Sequence, residues 1–256
     1  MILLHRLTPF ALAGVLAAGF ATLILAPRSL VIAVLLLFVV APVLLARLLL
    51  WEVKRPAFWV FLGVPMFMIA SAFLFFLFLE ADTGKWLLAL SVITSVGLYA
   101  ENLFTFYHLP SAYQAYSLEY LSLVISIASG FFFTAGANGA HLFLPEYVPL
   151  WMPTVIVFLA TFLSTLAMFW VSKVGFETGR RYAFGGALLM TELFLALSFL
   201  PTSFVTNAAA YAIFLYVYLG LMRAHVLEKL SKKVVRRYAV TAVLLLAIIF
   251  LSAKWL

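Results

Sequence analysis

The sequence predicts an all-α polytopic integral membrane protein with about nine transmembrane helices, its N-terminus inside and its C-terminus outside. Hydrophobic residues make up 67% of the chain and charged residues only 10%, whereas roughly a quarter of the residues in a soluble domain are charged. Apolar runs of about 20 residues recur along the chain, and each can cross a hydrocarbon layer of roughly 30 Å as a helix. Lipid offers the backbone no hydrogen-bond partner, so such runs must be helical. We therefore predict one domain, residues 1–256, that forms a single helical bundle.

The apolar runs and the polar turns between them define nine predicted spans. They cover residues 8–26, 29–50, 57–79, 85–107, 116–136, 150–172, 181–200, 203–222 and 235–254. The turns near Pro27 and Pro201 are so short that each flanking pair could instead be one kinked element. Residues 134–149, which combine small, aromatic and proline residues, are predicted to form an external loop along the interface, or a shallow re-entrant loop.

Lysine and arginine are distributed unequally between the two sides of this topology. Only Arg28, Lys85 and Lys254 lie on the side opposite the N-terminus. The other thirteen lie on the N-terminal side: Arg6, Arg47, Lys54, Arg55, Lys173, Arg180, Arg181, Arg223, Lys229, Lys232, Lys233, Arg236 and Arg237. Because basic loops stay in the cytoplasm, the N-terminus is predicted inside. We expect the protein to lie in a prokaryotic cytoplasmic membrane.

The net charge of +7 does not indicate nucleic-acid binding, because the basic residues lie in short loops and form no soluble face. Anionic headgroups on the cytoplasmic side are the expected partners. The predicted lipid contacts are Arg223, Lys229, Lys232, Lys233, Arg236 and Arg237. Residues 223–237 are either an amphipathic helix on the membrane surface or a basic loop that sets the topology.

Three glutamates, Glu101, Glu119 and Glu192, lie within predicted spans. A charge near the middle of a bilayer costs at least about 2.5 to 3.5 kcal/mol, so such acids normally face the bundle interior or a water-filled cavity. A low dielectric favours the protonated form of an acid, so each could bind and release a proton.

Polar residues continue from the first two glutamates along one face of each span. Glu101 is followed by Thr105 and His108, and Asn102 lies beside it. Glu119 is followed by serines at three- and four-residue spacing: Ser122, Ser126 and Ser129. Residues at these spacings share a helical face, and the two spans are consecutive and antiparallel. We therefore expect the two faces to meet near the cytoplasmic side.

Glu192 lies near the middle of the seventh span. Asn207 and Tyr211 lie four residues apart in the eighth span, with Tyr218 seven residues further along. A hydrogen bond from Glu192 to Asn207 or Tyr211 would satisfy the carboxyl group inside the bundle.

Sequence signatures of soluble enzymes are missing. The chain has no glycine-rich phosphate loop, no HExxH helix and no GxSxG elbow, and it has no cysteine for a thiolate site. Glu101, His108 and Glu119 contain metal-ligand groups, but a single histidine is weak support. We predict no metal site and no cofactor.

Three functional hypotheses remain open. In the first, the chain is a small transporter or permease in which Glu101, Asn102 and Glu119 line an inward-facing cavity and Glu192 marks its midplane, with His108 and Asn207 as further candidate substrate- or proton-binding residues. In the second, it is a non-catalytic subunit or scaffold that binds lipid or a partner protein. In the third, it is an intramembrane enzyme that acts on a lipid or prenyl substrate with Glu101 or Glu119 and His108 as acid and base. The substrate and the oligomeric state stay open.

Overall fold

A computed structural model describes residues 6–114, 116–172 and 174–253, and these residues contain helices and no strand. The helices are α1 (Thr8–Leu25), α2 (Pro27–Leu48), α3 (Pro56–Phe76), α4 (Asp82–His108), α5 (Ser117–Phe143), α6 (Trp151–Val171), α7 (Phe176–Ser198), α8 (Phe204–Val226) and α9 (Lys232–Ser252). All but α7 are both long and apolar enough to cross a membrane. Helix α7 has 23 residues but carries Glu177, Arg180, Arg181 and Glu192. The predicted all-α fold is confirmed.

The two short proline turns separate distinct helices. Helix α1 ends before Ala26, whose φ of −138° and ψ of 67° interrupt the helix, and a tight turn at Pro27–Ser29 begins α2. Helix α8 begins after Ser203, whose hydroxyl accepts a hydrogen bond from the Thr206 amide at 3.2 Å. Proline is favoured at a helix start and serine as an N-terminal cap, so each turn ends one helix and begins the next.

Helix α2 is not uniform. It widens into a π-helical turn over Leu36–Val40, directly before Pro42. A proline inside a helix has no amide hydrogen, and its ring crowds the carbonyl group four residues earlier. The wider turn relieves that crowding, and α2 then continues to Leu48.

The predicted external loop at residues 134–149 is wrong for most of its length, because α5 continues to Phe143. Thr134, Ala135, Ala137 and Ala140 are buried in this extension. Glycine and asparagine favour turns in soluble proteins, but in membrane helices small residues permit close packing. Only residues 144–150 remain as a connection to α6.

The amphipathic surface helix considered for residues 223–237 is also wrong. Helix α8 ends at Val226, and α9 begins at Lys232 with the Ser231 hydroxyl accepting from the Val234 amide at 3.3 Å. Between them the chain turns at Glu228, whose φ is 55°. The basic segment is therefore a helix end, a turn and a helix start.

The chain divides into two compact units, Met1–Ile125 and Ser126–Leu256. In the first unit, α1 packs mainly against α4. Leu12, Leu16 and Phe20 form the buried stripe of α1 at four-residue spacing, and Val92 and Val96 belong to the buried face of α4. Helix α3 also contacts α4, so α4 is the central helix of this unit.

In the second unit, α6 packs mainly against α7, and α8 contacts α6, α7 and α9. Helix α9 is peripheral, because Ala242 is its only buried residue among those described. Val243 and Leu251 are 65% and 87% exposed. A soluble protein rarely exposes so continuous an apolar surface, so lipid is its natural environment.

Two parts of the topology remain predictions: the inside position of the N-terminus and the crossing of the membrane by α7. Lys173 and Lys254, which were counted for the orientation, lie outside the described residues.

Because the chain has no cysteine, Tyr147→Cys and Lys229→Cys each introduce a single label site. In intact cells we expect a membrane-impermeant maleimide to label Cys at 147 at once, and Cys at 229 only after permeabilisation. Labelling of position 229 but not 147 in intact cells would contradict the orientation, and labelling of both positions would contradict the crossing by α7.

Candidate functional site within the membrane spans

Glu101 is an acidic residue of the first unit whose carboxylate has no hydrogen-bond or ion-pair partner among the described residues. It lies seven residues before the end of α4 at His108, which is about 10 Å along the helix axis. Its side chain is partly buried, and its carboxylate makes no hydrogen bond or ion pair with any described residue. An acid at this depth that is not neutralised by a neighbour is free to bind a proton, a cation or a donor group.

The polar neighbours of Glu101 on α4 bond to their own helix. The Asn102 side-chain amide donates to the Leu98 carbonyl at 2.9 Å, and the Thr105 hydroxyl donates to the Glu101 carbonyl at 2.9 Å. Within the described parts of the chain, the Asn102 side-chain oxygen and the Glu101 carboxylate have no hydrogen-bond partner. This turn therefore carries two hydrogen-bond acceptors on adjacent residues.

Helices α4 and α5 approach each other at Tyr99, which lies two residues before Glu101 and on nearly the opposite side of α4. Tyr99 is fully buried, its hydroxyl donates to the Phe61 carbonyl at 3.4 Å, and Ser122 of α5 lies close to the same hydroxyl. Ser122 belongs to the polar face that begins at Glu119, whereas Tyr99 does not belong to the face of Glu101. The predicted meeting of the two polar faces is not found at this contact and stays a prediction.

His108 and Glu119 lie on either side of the corner between α4 and α5. The His108 imidazole stacks on Phe104, with 5.2 Å between ring centroids and 25° between the rings. Glu119 lies partly buried in the first turn of α5. Among the residues that the structure describes, no three His, Asp or Glu side chains are arranged to hold a metal ion.

Glu192 lies on the outer surface of α7, not inside the bundle. Met190 and Phe194 are buried, and residues two positions away point to nearly the opposite side of a helix. The predicted hydrogen bond from Glu192 to α8 is wrong, because Asn207 pairs with the Thr202 hydroxyl and the Tyr211 hydroxyl pairs with Thr161 at 3.0 Å. Glu192 itself is exposed and has no partner among the described residues.

Several polar side chains of the second unit form hydrogen-bonded pairs along α8, which we call closed pairs. Its polar positions Asn207, Tyr211, Tyr218 and His225 follow one another at spacings of four and seven. Tyr218 donates to the Tyr182 carbonyl at 2.7 Å, and the Tyr182 hydroxyl bonds His225 Nε2 at 3.1 Å. The spacing on α8 signalled this face, but its partners on other helices could not be found from sequence.

One further closed pair joins α5 to α7, where the Ser198 hydroxyl donates to the Asn138 side-chain oxygen at 3.0 Å. Neither residue was predicted to belong to a site. Side-chain hydrogen bonds between membrane helices contribute on average about 0.6 kcal/mol each. The closed pairs of the second unit can therefore specify helix packing without any further task.

The pair of Thr161 and Tyr211 provides a direct test of that role. We expect Tyr211→Phe to lower the free energy of unfolding by about 0.6 to 1.7 kcal/mol, the range for interhelical hydrogen bonds in membranes. Unfolding by sodium dodecyl sulfate in mixed micelles measures the loss, and a double-mutant cycle with Thr161→Val isolates the pair. Tyr147→Phe, at a residue 77% exposed, is the control. A coupling energy of zero between residues 161 and 211 would contradict the pairing.

The start of α9 carries the predicted lipid contacts. Lys233, Arg236 and Arg237 line an open groove of about 490 Å³ together with Val234, Val240 and Thr241. Lys229 is exposed in the adjoining turn, Lys232 is the exposed first residue of α9, and Arg223 lies in the last turn of α8. The groove thus combines positive charge with an apolar wall.

The fold defines the class of protein: a polytopic helical membrane protein. No protein-family model matches the chain, and no curated protein or solved structure is significantly similar to it.

Proposed function

We propose that the chain is a small transporter that couples solute movement to the protonation of Glu101. The single observation that carries the proposal is the partly buried Glu101 carboxylate, which has no partner among the described residues. Retaining an unpaired acid inside a membrane protein costs free energy. Binding of a proton or a solute by Glu101 explains why the chain keeps an acid there despite this free-energy cost.

The chemistry follows from the two protonation states of the carboxyl group. The ionised form attracts a proton or a cationic group, and the neutral form is cheaper to carry through a low-dielectric environment. The side-chain oxygen of Asn102 can accept a hydrogen bond from the same solute. Glu119 and His108 are proposed to complete the inward-facing end of this site, while Glu192 is left out because it lies on the outer surface of α7.

The second candidate function is a non-catalytic membrane subunit. The closed polar pairs of the second unit favour it, because they satisfy one another and need no substrate. Binding of anionic lipid by the start of α9 fits either function. The enzymatic hypothesis stays a prediction, whose test is loss of lipid turnover in His108→Ala.

Proton-coupled flux in proteoliposomes separates the transporter from the subunit. Vesicles loaded with a pH-sensitive dye receive an amine, an amino acid, a sugar or a carboxylate from outside. The proposal expects at least one class to change the internal pH faster than in protein-free vesicles. The absence of any solute-dependent change across all four classes would overturn it and favour the subunit.

A further inference from the structure

We infer that the start of α9 binds one phospholipid whose headgroup carries two phosphate groups, with the phosphates against its cations and an acyl chain along its apolar side. This is narrower than the general attraction to anionic headgroups predicted from the sequence, because it assigns one bound lipid to each chain. The inference does not depend on transport, since α9 belongs to the second unit and Glu101 to the first.

Four cations lie on one side of α9 within its first six residues. We call them the α9 basic cluster: Lys232, Lys233, Arg236 and Arg237. Residues one, four and five positions apart share one side of a helix, and all four side chains are exposed. The cluster extends about 7.5 Å along the axis, and one headgroup layer of a bilayer is about 5 to 7.5 Å thick. The four charges can therefore lie together at the depth of the lipid phosphates.

The cations of the α9 basic cluster form no ion pair with any described residue. Arg55, by contrast, pairs with Glu52 three residues away at 2.8 Å. The acid nearest to the cluster along the chain is Glu228, which is exposed and also forms no ion pair with a described residue. The charges of the cluster are therefore accessible to an anion from outside the chain.

The cluster is electrostatically unfavourable unless an anion binds to it. The start of a helix is the positive end of its dipole, so cations there lower the stability of the helix. Like charges four residues apart repel each other, and the cluster contains two such pairs, at positions 232 and 236 and at positions 233 and 237. Orientation in the membrane requires basic residues near a span, but not on one side of its first turns. A bound phosphate group offsets both effects and so accounts for the arrangement.

The groove at the cluster favours a lipid over a free phosphate ion. Its volume of about 490 Å³ is lined by cations of the cluster and by apolar side chains such as Val240. Further along the helix the exposed apolar surface continues with Val243 and Leu244, which are 65% and 59% exposed. An acyl chain that follows this surface stays in the hydrocarbon layer while its headgroup reaches the cluster. A phosphate ion would contact only the charged part.

The number and type of the cations favour a headgroup with two phosphates. A headgroup with a single negative charge would leave most of the cluster uncompensated. A guanidinium group can donate two parallel hydrogen bonds to one phosphate, so Arg236 and Arg237 can each bind one. The Arg237 guanidinium also lies over the Tyr238 ring, 5.3 Å from its centroid, and this contact favours one position of the side chain. Diphosphatidylglycerol has two phosphates, whereas phosphatidylcholine has one and no net charge.

Titration of the full chain with lipid in detergent, followed by native mass spectrometry, tests the inference. We expect the wild type to bind one diphosphatidylglycerol per chain in preference to phosphatidylcholine. Arg236→Gln combined with Arg237→Gln should weaken binding at least about tenfold, because charge-assisted hydrogen bonds are lost. Lys54→Gln combined with Arg181→Gln removes two other exposed cations predicted on the same side and should bind like the wild type. Equal binding by the wild type and the double variant at 236 and 237 would overturn the inference.

A variant that keeps every charge distinguishes a lipid site from diffuse attraction. Arg236→Lys combined with Arg237→Lys should bind diphosphatidylglycerol several-fold more weakly, because lysine cannot form the paired hydrogen bonds. Added diphosphatidylglycerol should also raise the melting temperature of the wild type more than that of this variant. Unchanged binding in this variant would show that charge alone attracts the lipid. Complete displacement of the lipid by inorganic phosphate would show that the cluster binds free phosphate, and either result would overturn the inference.

Discussion

Gly186→Ala is expected to lower the free energy of unfolding of the second unit by about 2 to 4 kcal/mol. A Cβ atom at this position would lie 1.8 Å from the Tyr218 hydroxyl oxygen and 1.9 Å from its Cζ atom. The tyrosine ring must therefore move, and its hydrogen bond to the Tyr182 carbonyl is lost. Overpacking of this kind costs about 1 to 3 kcal/mol, and the lost bond adds about 0.5 to 1.5 kcal/mol.

The neighbouring glycine supplies a matched control. Gly185 is on the same helix, but a Cβ atom there would meet nothing within 4 Å. Alanine also favours a helix over glycine by up to about 1 kcal/mol. Unfolding in mixed micelles should therefore show Gly185→Ala unchanged or slightly more stable. Equal stability of the two variants would mean that α7 and α8 do not meet at Gly186 and Tyr218.

Glu101→Gln is expected to reduce proton-coupled solute flux at least tenfold without unfolding the protein. Glutamine keeps the size of the side chain and its oxygen acceptor, but it cannot exchange a proton. The carboxylate has no partner among the described residues, so its loss breaks no contact. The measurement is the initial rate of internal pH change in proteoliposomes after addition of the solute class that the wild type moves.

The control for this prediction is Glu146→Gln, an acid in the exposed connection between α5 and α6. It removes the same charge without changing the membrane interior, so its flux should equal that of the wild type. A Glu101→Gln variant with unchanged flux would exclude protonation of this residue as the coupling step. A variant that fails to fold would instead show that Glu101 is structural.

The positions of the helices could be predicted from the sequence because length and apolarity are local properties of the chain. Prolines and polar turns marked the breaks correctly at Pro27 and Pro201. Residues 134–143 were assigned wrongly, since glycine and asparagine favour turns in water, whereas small residues favour close helix packing in membranes. That choice depends on the tertiary surroundings of the segment, here the burial of Ala135 and Ala137.

Which face of a helix points inward was much harder to predict. A membrane helix is apolar on its lipid-facing side as well as on its packed side, so hydropathy does not distinguish the two. For α7 the apolar residues Met190 and Phe194 face inward, while Leu188 and Leu189 face outward. The orientation of Glu192 follows from that packing and not from its own neighbours in sequence.

The polar face of α8 was visible in the spacing of Asn207, Tyr211 and Tyr218, whereas the partners on other helices were not. Tyr211 pairs with Thr161, which is 50 residues away in the chain. In the sequence, a threonine of α6 that bonds to another helix looks the same as a threonine that bonds to its own helix backbone. Such pairs become apparent only when the helices are placed together.

We propose that Glu101 of the first unit carries function, while the closed pairs of the second unit stabilise the fold. Solute-coupled proton flux measured side by side in Glu101→Gln and Tyr211→Phe tests it most directly. We predict that Glu101→Gln loses flux and keeps the wild-type unfolding free energy, and that Tyr211→Phe keeps flux and loses about 1 kcal/mol of stability. Wild-type flux in Glu101→Gln together with lost flux in folded Tyr211→Phe would contradict the claim and place the functional group in the second unit.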